Sequence, residues 1–343
     1  MKLEVLLPFH RCDDYLFESA SSLFNSEFQD FQILLIDDRR ETIFCNRLTK
    51  LIDNKNVSYY RSLERGYGSS LNLGVANANS KYLALMNSDD LVHPERFNFQ
   101  ISEFEIQKCD VVTTRIQKFS KNRLLPQLSG SFHSPNFYPE QLLFGSYSAN
   151  ASCMFRTEWL VGKEKFSNID MADYLFALQN YGDANIRFID DALYFYRQHD
   201  SQTTAQPRVV PSDIFKAWNT LSQDLLLPSA SKEVSSCLSL PSFTRDWSGS
   251  LQLELNDWIQ CFFERMTQDS ARSNKRQREC SQVIFRRLLA LYRQNKSGLS
   301  AISQFFTLYE VSMYSSSVLS DIVTRKKFST LLSPNRRGRN TYA

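Results

Sequence analysis

Short apolar runs alternate with stretches of helical spacing from residue 1 to about residue 200 of the chain. Helical spacing, with apolar positions three or four residues apart, covers 15–24, 41–52 and the segment that follows Gly66 and Gly68. Alternation of this kind is typical of strand–helix–strand units, in which successive strands run parallel. We therefore predict an α/β fold with a mainly parallel sheet. The apolar runs that predict strands are 5–7, 31–36, 57–60, 82–86 and 192–195.

The pattern changes beyond Gln198, where a polar segment over 201–207 is followed closely by Pro211. Such a segment is typical of a linker. Apolar positions then recur at helical spacing, as at Leu251 and Leu255, which predicts an α-helical C-terminal region. The predicted helices cover 212–226, 247–268, 276–294 and 299–326. The predicted organisation is a first domain over 1–205, a helical region over 206–332 and a disordered basic tail over 333–343.

Composition and charge narrow the class of protein further. The 343 residues are 42% hydrophobic and 22% charged with a net charge of +3, which is typical of a globular protein and gives no reason to expect nucleic acid as a partner. The seven cysteines are scattered and include no C-x-x-C pair, so they do not indicate a zinc site. Their odd number and scatter favour a reducing compartment. No apolar run approaches the ~18 residues of a membrane span, and the run after Met1 is too short for a signal peptide. We expect a cytoplasmic protein, with peripheral contact at the inner membrane face as an open alternative.

Paired aspartates follow two of the predicted strands. Asp37 and Asp38 directly follow the second strand, and Asp89 and Asp90 come shortly after the fourth. Because ligands of open α/β sheets bind outside the carboxyl ends of the strands, we expect these carboxylates at a ligand site. Carboxylates suit Mg²⁺ or Mn²⁺, which complete their shell with water and substrate phosphates, so the sequence predicts such a cofactor and a diphosphate ligand. The alternative is that the first pair turns the chain and that Asp89 caps a helix near Pro94.

Four stretches of the sequence resemble motifs of one enzyme family. They are VLLPFHR at 5–11, ILLIDD at 33–38, NLG at 72–74 with KYLALMNSDD at 81–90, and ADY at 172–174 with YFYRQH at 194–199. Together they resemble family 2 glycosyltransferases of the GT-A fold, which use nucleotide-sugar donors. By this resemblance, the second stretch ends in aspartates that face the donor base and ribose. The third leads into the metal-binding D-x-D, and the fourth contains the catalytic base.

The resemblance implies an inverting transfer of a sugar, with a UDP-sugar as the default donor and a hydroxyl group as the acceptor, in glycan or polysaccharide biosynthesis. It makes Asp173 the general base for the acceptor hydroxyl, and it makes Asp89 and His199 metal ligands. Asp170 is the fallback for the base, since the two aspartates would share a helical face; the alternative is that both only begin that helix. The residues expected to bind the donor are Pro8, His10, Asp38, Arg65, Asn72, Asn87 and Arg197.

Two departures from the family pattern leave a rival interpretation open. Asn87 replaces the first Asp of the D-x-D, and Ala172 replaces the Glu that usually precedes the base. The amide of Asn87 is expected to contact a ribose hydroxyl or a metal-bound water. Asp90 fits a direct ligand, or a capping or surface residue. The rival is a catalytically inactive module that binds a nucleotide-sugar or a glycan.

Several other residues each allow two interpretations. Arg65 fits a phosphate contact or an exposed arginine, and His199 fits ligation or ordinary packing. The basic residues of 272–287 fit a solvated helix face, with contact to anionic lipid or a polyanionic acceptor as the alternative. We expect the helical region to help acceptor binding or self-association. A nucleotidyltransferase is disfavoured, because 9–13 contains no glycine for a triphosphate-binding loop.

Overall fold

A nine-stranded sheet is the framework of the protein. The computed structural model describes residues 1–268, apart from 42, 122, 130–136, 138, 147–149, 201–209 and 241–248. Four features predicted from the sequence lie outside the described residues. They are the linker over 201–207, the basic residues of 272–287, the helices over 276–294 and 299–326, and the tail over 333–343.

The first four strands form a wholly parallel half of the sheet. They are β1 (Leu3–Phe9), β2 (Phe31–Asp37), β3 (Val57–Arg61) and β4 (Tyr82–Leu85), in the order β3-β2-β1-β4. All seven residues of β1 are buried, which explains its nearly continuous apolar sequence. Its one charged residue, Glu4, accepts hydrogen bonds from the backbone N–H groups of Asn79 at 2.7 Å and Ser80 at 2.9 Å. The four strands predicted here are confirmed.

Three helices follow the first three of these strands: α1 (Asp14–Phe24), α2 (Asn46–Ile52) and α3 (Tyr67–Asn77). At the start of α1, the Asp13 carboxylate accepts a hydrogen bond from the backbone N–H of Leu16 at 3.3 Å. α3 follows Gly66, whose φ of 118° lies in the region that favours glycine. This helix lies so close to β1 that a side chain at Gly74 would overlap Leu6, which explains the glycine there.

The helix predicted over 41–52 begins only at Asn46, so its predicted start was wrong. The Arg39 side chain gives the physical reason. Its guanidinium binds the Asp37 carboxylate and also donates to the backbone carbonyl of Ile43 at 3.3 Å, which holds the segment before α2 in a loop.

The other half of the sheet contains both parallel and antiparallel pairs. Its strands are β5 (Leu91–Val92), β6 (Val111–Ser120), β7 (Arg123–Ser129), β8 (Met154–Arg156) and β9 (Ile186–Arg197). β8 joins β4 to β6 by antiparallel pairing, and β6 pairs with β9 in parallel. β5 then pairs antiparallel with β9, with Leu91 opposite Phe195. This last pairing brings the segment after β4 to the end of β9.

Further helices cover this framework. They are α4 (Arg96–Ile106), α5 (Thr157–Val161), α6 (Ala172–Asn180), α7 (Ser212–Asp224), α8 (Lys232–Ser239) and α9 (Gly249–Gln268). α7 and α9 were predicted to within a few residues, whereas α8 was not predicted. The Trp218 indole of α7 donates to the carbonyl of Leu143 at 3.0 Å, and the Trp258 indole of α9 donates to that of Pro228 at 2.9 Å. Among the described helices, none has the length and apolar character needed to cross a membrane.

Residues Met1–Asp269 form one compact unit, which includes α7, α8 and α9. The predicted domain boundaries at 205 and 332 stay predictions.

Candidate active site

Asp89 and His199 meet at the edge of the sheet. Asp89 lies in the turn between β4 and β5, and His199 lies two residues beyond the end of β9, so the β5–β9 pairing draws them together. His199 Nε2 lies 3.1 Å from Asp89 Oδ2, and 33% of the Asp89 side chain and 14% of the His199 side chain are exposed. The structure thus brings together the two residues that the sequence predicted as metal ligands, at a place that solvent reaches.

The two possible metal-ligand atoms, Asp89 Oδ2 and His199 Nε2, fit a cation that also binds substrate. With metal–ligand bonds of about 2.1 Å, neighbouring ligands of an octahedral ion lie about 3 Å apart, which is close to the observed separation of the two atoms. Within the described residues, no three His, Cys, Asp or Glu side chains converge on one point. An ion held here would therefore take two ligands from the described residues and the rest from water or phosphate oxygens, as Mg²⁺ commonly does.

Asp90 is an internal anchor of this turn. It is fully buried, and its carboxylate accepts hydrogen bonds from the Tyr194 hydroxyl at 2.6 Å, the Arg197 backbone N–H at 2.8 Å and the Asn87 side-chain amide at 3.2 Å. Burial, followed by the charge of Asp89, raises the pKa of Asp90 to about 7, although these hydrogen bonds oppose the shift. The interpretation of Asp90 as a surface residue is therefore wrong, because its carboxylate joins the turn to β9.

The turn after β4 does not cap the next helix. α4 begins at Arg96 with Glu95 at its N-cap position, so Asp89 lies well before the helix. The alternative interpretation of Asp89 as a helix cap is therefore wrong.

Asn87 is held in a single orientation by its two neighbours. Its amide nitrogen donates to Asp90 Oδ2 at 3.2 Å, and its amide oxygen accepts from the Tyr67 hydroxyl at 3.1 Å. The reverse orientation would set the amide oxygen against a carboxylate oxygen. An aspartate at this position would set two carboxylates against each other, which gives a physical reason for the amide in place of the family's first Asp.

Tyr67 is a site residue that the sequence did not indicate. It opens α3 directly after Gly66, and its side chain is 40% exposed while its hydroxyl bonds Asn87. Burial of the hydroxyl, followed by the charges of Asp173, Asp90 and Asp89, raises the pKa of Tyr67 well above its usual value. Its place at the start of α3, directly after the loop from β3 at the carboxyl edge of the sheet, is the signal that would have found it.

Asp173 lies in the first turn of α6 and is half-buried. One of its carboxylate oxygens accepts a hydrogen bond from the Tyr174 backbone N–H at 2.9 Å. Met171, with φ of 62°, adopts the left-handed conformation just before the helix. Asp170 therefore lies outside the helix and is exposed, so the expected shared helical face of Asp170 and Asp173 was wrong.

Arg197 supports the metal-ligand candidate from within the protein. Its side chain is almost wholly buried, donating from Nε to the Asp89 carbonyl at 2.7 Å and from a terminal nitrogen to Glu18 at 2.6 Å. The guanidinium also lies over the rings of Tyr15 and Phe119, at 4.4 and 4.7 Å from their centres. These contacts fix the backbone of Asp89, and the predicted phosphate contact of Arg197 stays a prediction.

The aspartates after β2 have different surroundings. Asp37 is fully buried and accepts two hydrogen bonds from the Arg39 side chain at 3.0 and 2.8 Å, one from the Arg39 backbone N–H at 2.9 Å and one from the Tyr59 hydroxyl at 2.7 Å. Asp38 is half-buried, and its carboxylate accepts from the Gly66 backbone N–H at 3.2 Å. Of this pair, Asp38 therefore has the carboxylate more open to a ligand, and it was the one predicted to bind the donor.

The other predicted donor contacts have varied surroundings. Pro8 is buried within β1, while His10 in the following loop and Arg65 before α3 are exposed. The Asn72 amide is paired with the backbone of Phe166, donating at 2.8 Å and accepting at 3.0 Å. This pair ties α3 to the segment before α6. The donor contacts of these four residues stay predictions.

Comparison with known proteins tests the predicted resemblance. The sequence model of glycosyl transferase family 2 matches residues 4–169, which contain Asp38, Tyr67, Asn87 and Asp89. The predicted resemblance to family 2 glycosyltransferases is thereby confirmed over these residues. The predicted α/β class and GT-A type of fold are confirmed.

Two curated relatives illustrate the range of similarity. An uncharacterized glycosyltransferase of Rickettsia felis is 28% identical over 141 residues, covering 40% of this chain and 23% of the relative. The poly(ribitol-phosphate) beta-N-acetylglucosaminyltransferase TarS of Staphylococcus aureus strain MW2 is 23% identical over 280 residues, covering 76% of this chain and 48% of TarS. The chain thus spans about a quarter to a half of the length of these two relatives.

A solved structure of similar fold is also found. The crystal structure of S. aureus TarS 1-349 in complex with UDP-GlcNAc matches with a TM-score of 0.54 and 19% identity, over 86% of this chain and 92% of that one. At this level of identity the likeness shows the shared fold.

Proposed function

We propose that the chain is an inverting, metal-dependent glycosyltransferase that moves a sugar from a UDP-sugar to a hydroxyl of a glycan or polysaccharide acceptor. The family supports the reaction class, and a neighbour in fold, TarS, was crystallised with UDP-GlcNAc and with UDP. The observation that carries the proposal is the contact of Asp89 with His199, 3.1 Å apart at the carboxyl edge of the sheet.

In this proposal Asp89 and His199 would hold Mn²⁺ or Mg²⁺ beside the diphosphate of the donor. Such a cation, when bound, would supply positive charge to offset the charge that builds on the leaving nucleoside diphosphate. Arg197 keeps the Asp89 backbone in place through its hydrogen bond of 2.7 Å to the carbonyl. Asn87 and Tyr67 form the neighbouring polar wall, in which the Tyr67 hydroxyl donates to the Asn87 amide oxygen at 3.1 Å.

Asp173 takes the proton of the acceptor hydroxyl. An inverting transfer needs a carboxylate on the acceptor side, so that the oxygen attacks the anomeric carbon opposite the departing phosphate. Asp173 is half-buried, and its charge acts on Tyr67, whose hydroxyl bonds Asn87. Asp170, by contrast, is exposed and lies outside α6, which supports the assignment of Asp173 over Asp170.

A donor panel tests the proposed reaction. The purified chain would be mixed with UDP, GDP and a series of their sugar conjugates, with Mn²⁺, with Mg²⁺ or with EDTA, and both its melting temperature and donor hydrolysis would be measured. We expect at least one UDP-sugar to raise the melting temperature only when metal is present and to be slowly hydrolysed. Absence of both effects for every nucleotide and sugar would overturn the proposal.

A second candidate is a binding module that holds a nucleotide-sugar or glycan without transfer. It is favoured by the amide of Asn87, whose two polar ends are both engaged, and by Ala172 in place of the family's Glu. Asp173→Asn separates the two candidates. For an enzyme, the variant should keep donor binding and lose nearly all turnover, with the exposed Asp183→Asn as the matched control. For a binding module, the wild-type chain itself should bind donor and show no turnover.

A further inference from the structure

Two cysteines lie side by side near the carboxyl ends of β1 and β2. Cys12 lies in the loop after β1, Cys45 lies immediately before α2, and their sulfur atoms are 3.4 Å apart. A disulfide bond measures about 2.05 Å, so the two sulfurs need approach by only about 1.4 Å to form one. Cys45 is exposed and Cys12 is half-buried. The pair therefore combines an accessible thiol with a second thiol in contact with it.

The surroundings of the two sulfurs divide their roles. The backbone N–H of Leu48, together with the Cys12 thiol and the backbone N–H of Arg47, lowers the pKa of Cys45. Burial, followed by the hydrogen bond and charge of Cys45, raises the pKa of Cys12 to about 11. Cys45 is therefore the more acidic of the two thiols and the one that gives up its proton first to form a thiolate, the reactive form of cysteine.

We infer that Cys12 and Cys45 form a redox modification site that reacts with small-molecule disulfides of the glutathione type and closes into an intramolecular disulfide. The Cys45 thiolate attacks one sulfur of the small disulfide, and the other sulfur leaves as a thiolate that takes a proton from solvent. Cys12 then loses its proton and attacks the Cys45 sulfur, releasing the second small thiol. Overall, two cysteine thiols are oxidised to one disulfide while one small disulfide is reduced to two thiols.

The resulting bond would tie the loop after β1 to the start of α2. The same region contains the buried Asp37–Arg39 pair, and the Arg39 charge already acts on the Cys12 thiol. The reaction goes beyond the proposed function and needs no donor, metal or acceptor, so it can succeed or fail independently of sugar transfer.

Peptide mapping tests the inference directly. The full chain would be incubated with oxidised glutathione, alkylated and digested with trypsin, which cleaves after Arg11, Arg39, Arg40 and Arg47. The disulfide should then join peptide 12–39 to peptide 41–47, and no glutathione should remain on either. Exposed Cys261 on α9 is the internal reference for a thiol that can accept glutathione.

Two variants separate the proposed roles. Cys12→Ser should retain one glutathione on Cys45, because the resolving thiol is gone. Cys45→Ser should react with glutathione at Cys12 about tenfold more slowly than Cys12→Ser reacts at Cys45, since the remaining thiol is half-buried and little ionised. Thermal melting of the reduced forms would verify that both variants fold.

The inference would be overturned if the wild-type chain kept glutathione at Cys45 with no joined peptide. It would also be overturned if residues 12 and 45 stayed reduced while Cys261 was modified. If either variant did not fold, the joined peptide in the wild-type digest would still decide the matter.

Discussion

Asp89 and His199 lie 110 residues apart in the sequence, yet Oδ2 of the first lies 3.1 Å from Nε2 of the second. Each is held by the protein: Arg197 binds the Asp89 carbonyl at 2.7 Å, and the Tyr15 ring lies 5.0 Å from the imidazole of His199. Their separation therefore needs little change to accept a cation between them. Such preorganisation lowers the cost of binding a metal together with a diphosphate.

The Tyr67 hydroxyl should matter for turnover more than for folding. Tyr67→Phe removes the hydroxyl group that donates a hydrogen bond to the Asn87 amide oxygen, 3.1 Å away. The loss of this bond loosens the polar wall beside Asp89. We expect a kcat lower by about fivefold, in line with the loss of one hydrogen bond of ~1 kcal/mol, and a nearly unchanged melting temperature. Steady-state turnover of the best donor from the panel would measure it. The half-buried Tyr60→Phe on β3 is the matched control, and equal kcat values for the two variants would contradict the role of Tyr67.

The first position of the family's D-x-D should not tolerate its usual residue in this chain. In the wild-type chain the Asn87 amide nitrogen lies 3.2 Å from Asp90 Oδ2. Asn87→Asp would put a carboxylate oxygen in the place of that nitrogen, next to the Asp90 carboxylate. Repulsion raises the pKa of one of the two carboxyls, so the native state keeps a proton that the unfolded chain releases above about pH 4. The stability of the variant relative to wild type should therefore fall as pH rises, by about 1–3 kcal/mol between pH 5 and 8.

Urea unfolding at several pH values in EDTA would test this expectation. The exposed Asn54→Asp is the matched control, because an aspartate there keeps the oxygen that accepts from the Asn56 backbone N–H. A variant that matched or exceeded wild-type stability at pH 8 would show that the amide is not needed beside Asp90.

Much of the fold was predictable because β1, β2 and β4 are buried on both faces. The sequence shows β1 and β2 as continuous apolar runs. It also shows α1 as a capping aspartate, Asp13, followed by an apolar helix face. The sequence does not show the short strand β5, since two residues carry no periodicity of their own. Its pairing with β9 is nevertheless the contact that unites Asp89 with His199.

The candidate site was predictable in its residues more than in their roles. Asp89 and Asp90 are neighbours with the same side chain, yet one is partly exposed and the other fully buried, a difference set by how the turn meets Tyr194 and Arg197. The expected phosphate contact of Arg197 stays a prediction, whereas its hydrogen bonds to the Asp89 carbonyl and to Glu18 were not indicated by the sequence. Tyr67 was missed because an aromatic residue in a helix-opening turn carries no motif of its own.

The buried Asp37 predicts a loss of stability in acid. Burial alone would raise the pKa of Asp37, but the hydrogen bonds from Arg39 and Tyr59 outweigh it and lower the pKa below its usual value. Stabilisation from this carboxylate is therefore present above about pH 4 and is lost as the pH falls through its folded-state pKa. Asp37→Asn should cost about 3 kcal/mol at pH 7, since the buried Arg39 charge loses its partner, and this cost should shrink below pH 4.

Urea unfolding of wild type and Asp37→Asn from pH 3 to 7 would measure this difference. The exposed Asp53→Asn should follow the wild-type curve. A gap between Asp37→Asn and wild type that stayed constant over the whole range would contradict the account of the Asp37–Arg39 pair.

The account depends most on whether Asp89 and His199 hold a cation together with a nucleoside diphosphate. Mn²⁺ binding in the presence of excess UDP, followed by electron paramagnetic resonance, measures this without requiring transfer. We predict one bound Mn²⁺ per wild-type chain, an affinity at least about tenfold weaker for Asp89→Asn and for His199→Ala, and an unchanged affinity for the control Asp183→Asn. No Mn²⁺ binding to wild type with UDP, or equal binding by wild type and Asp89→Asn, would contradict the central claim.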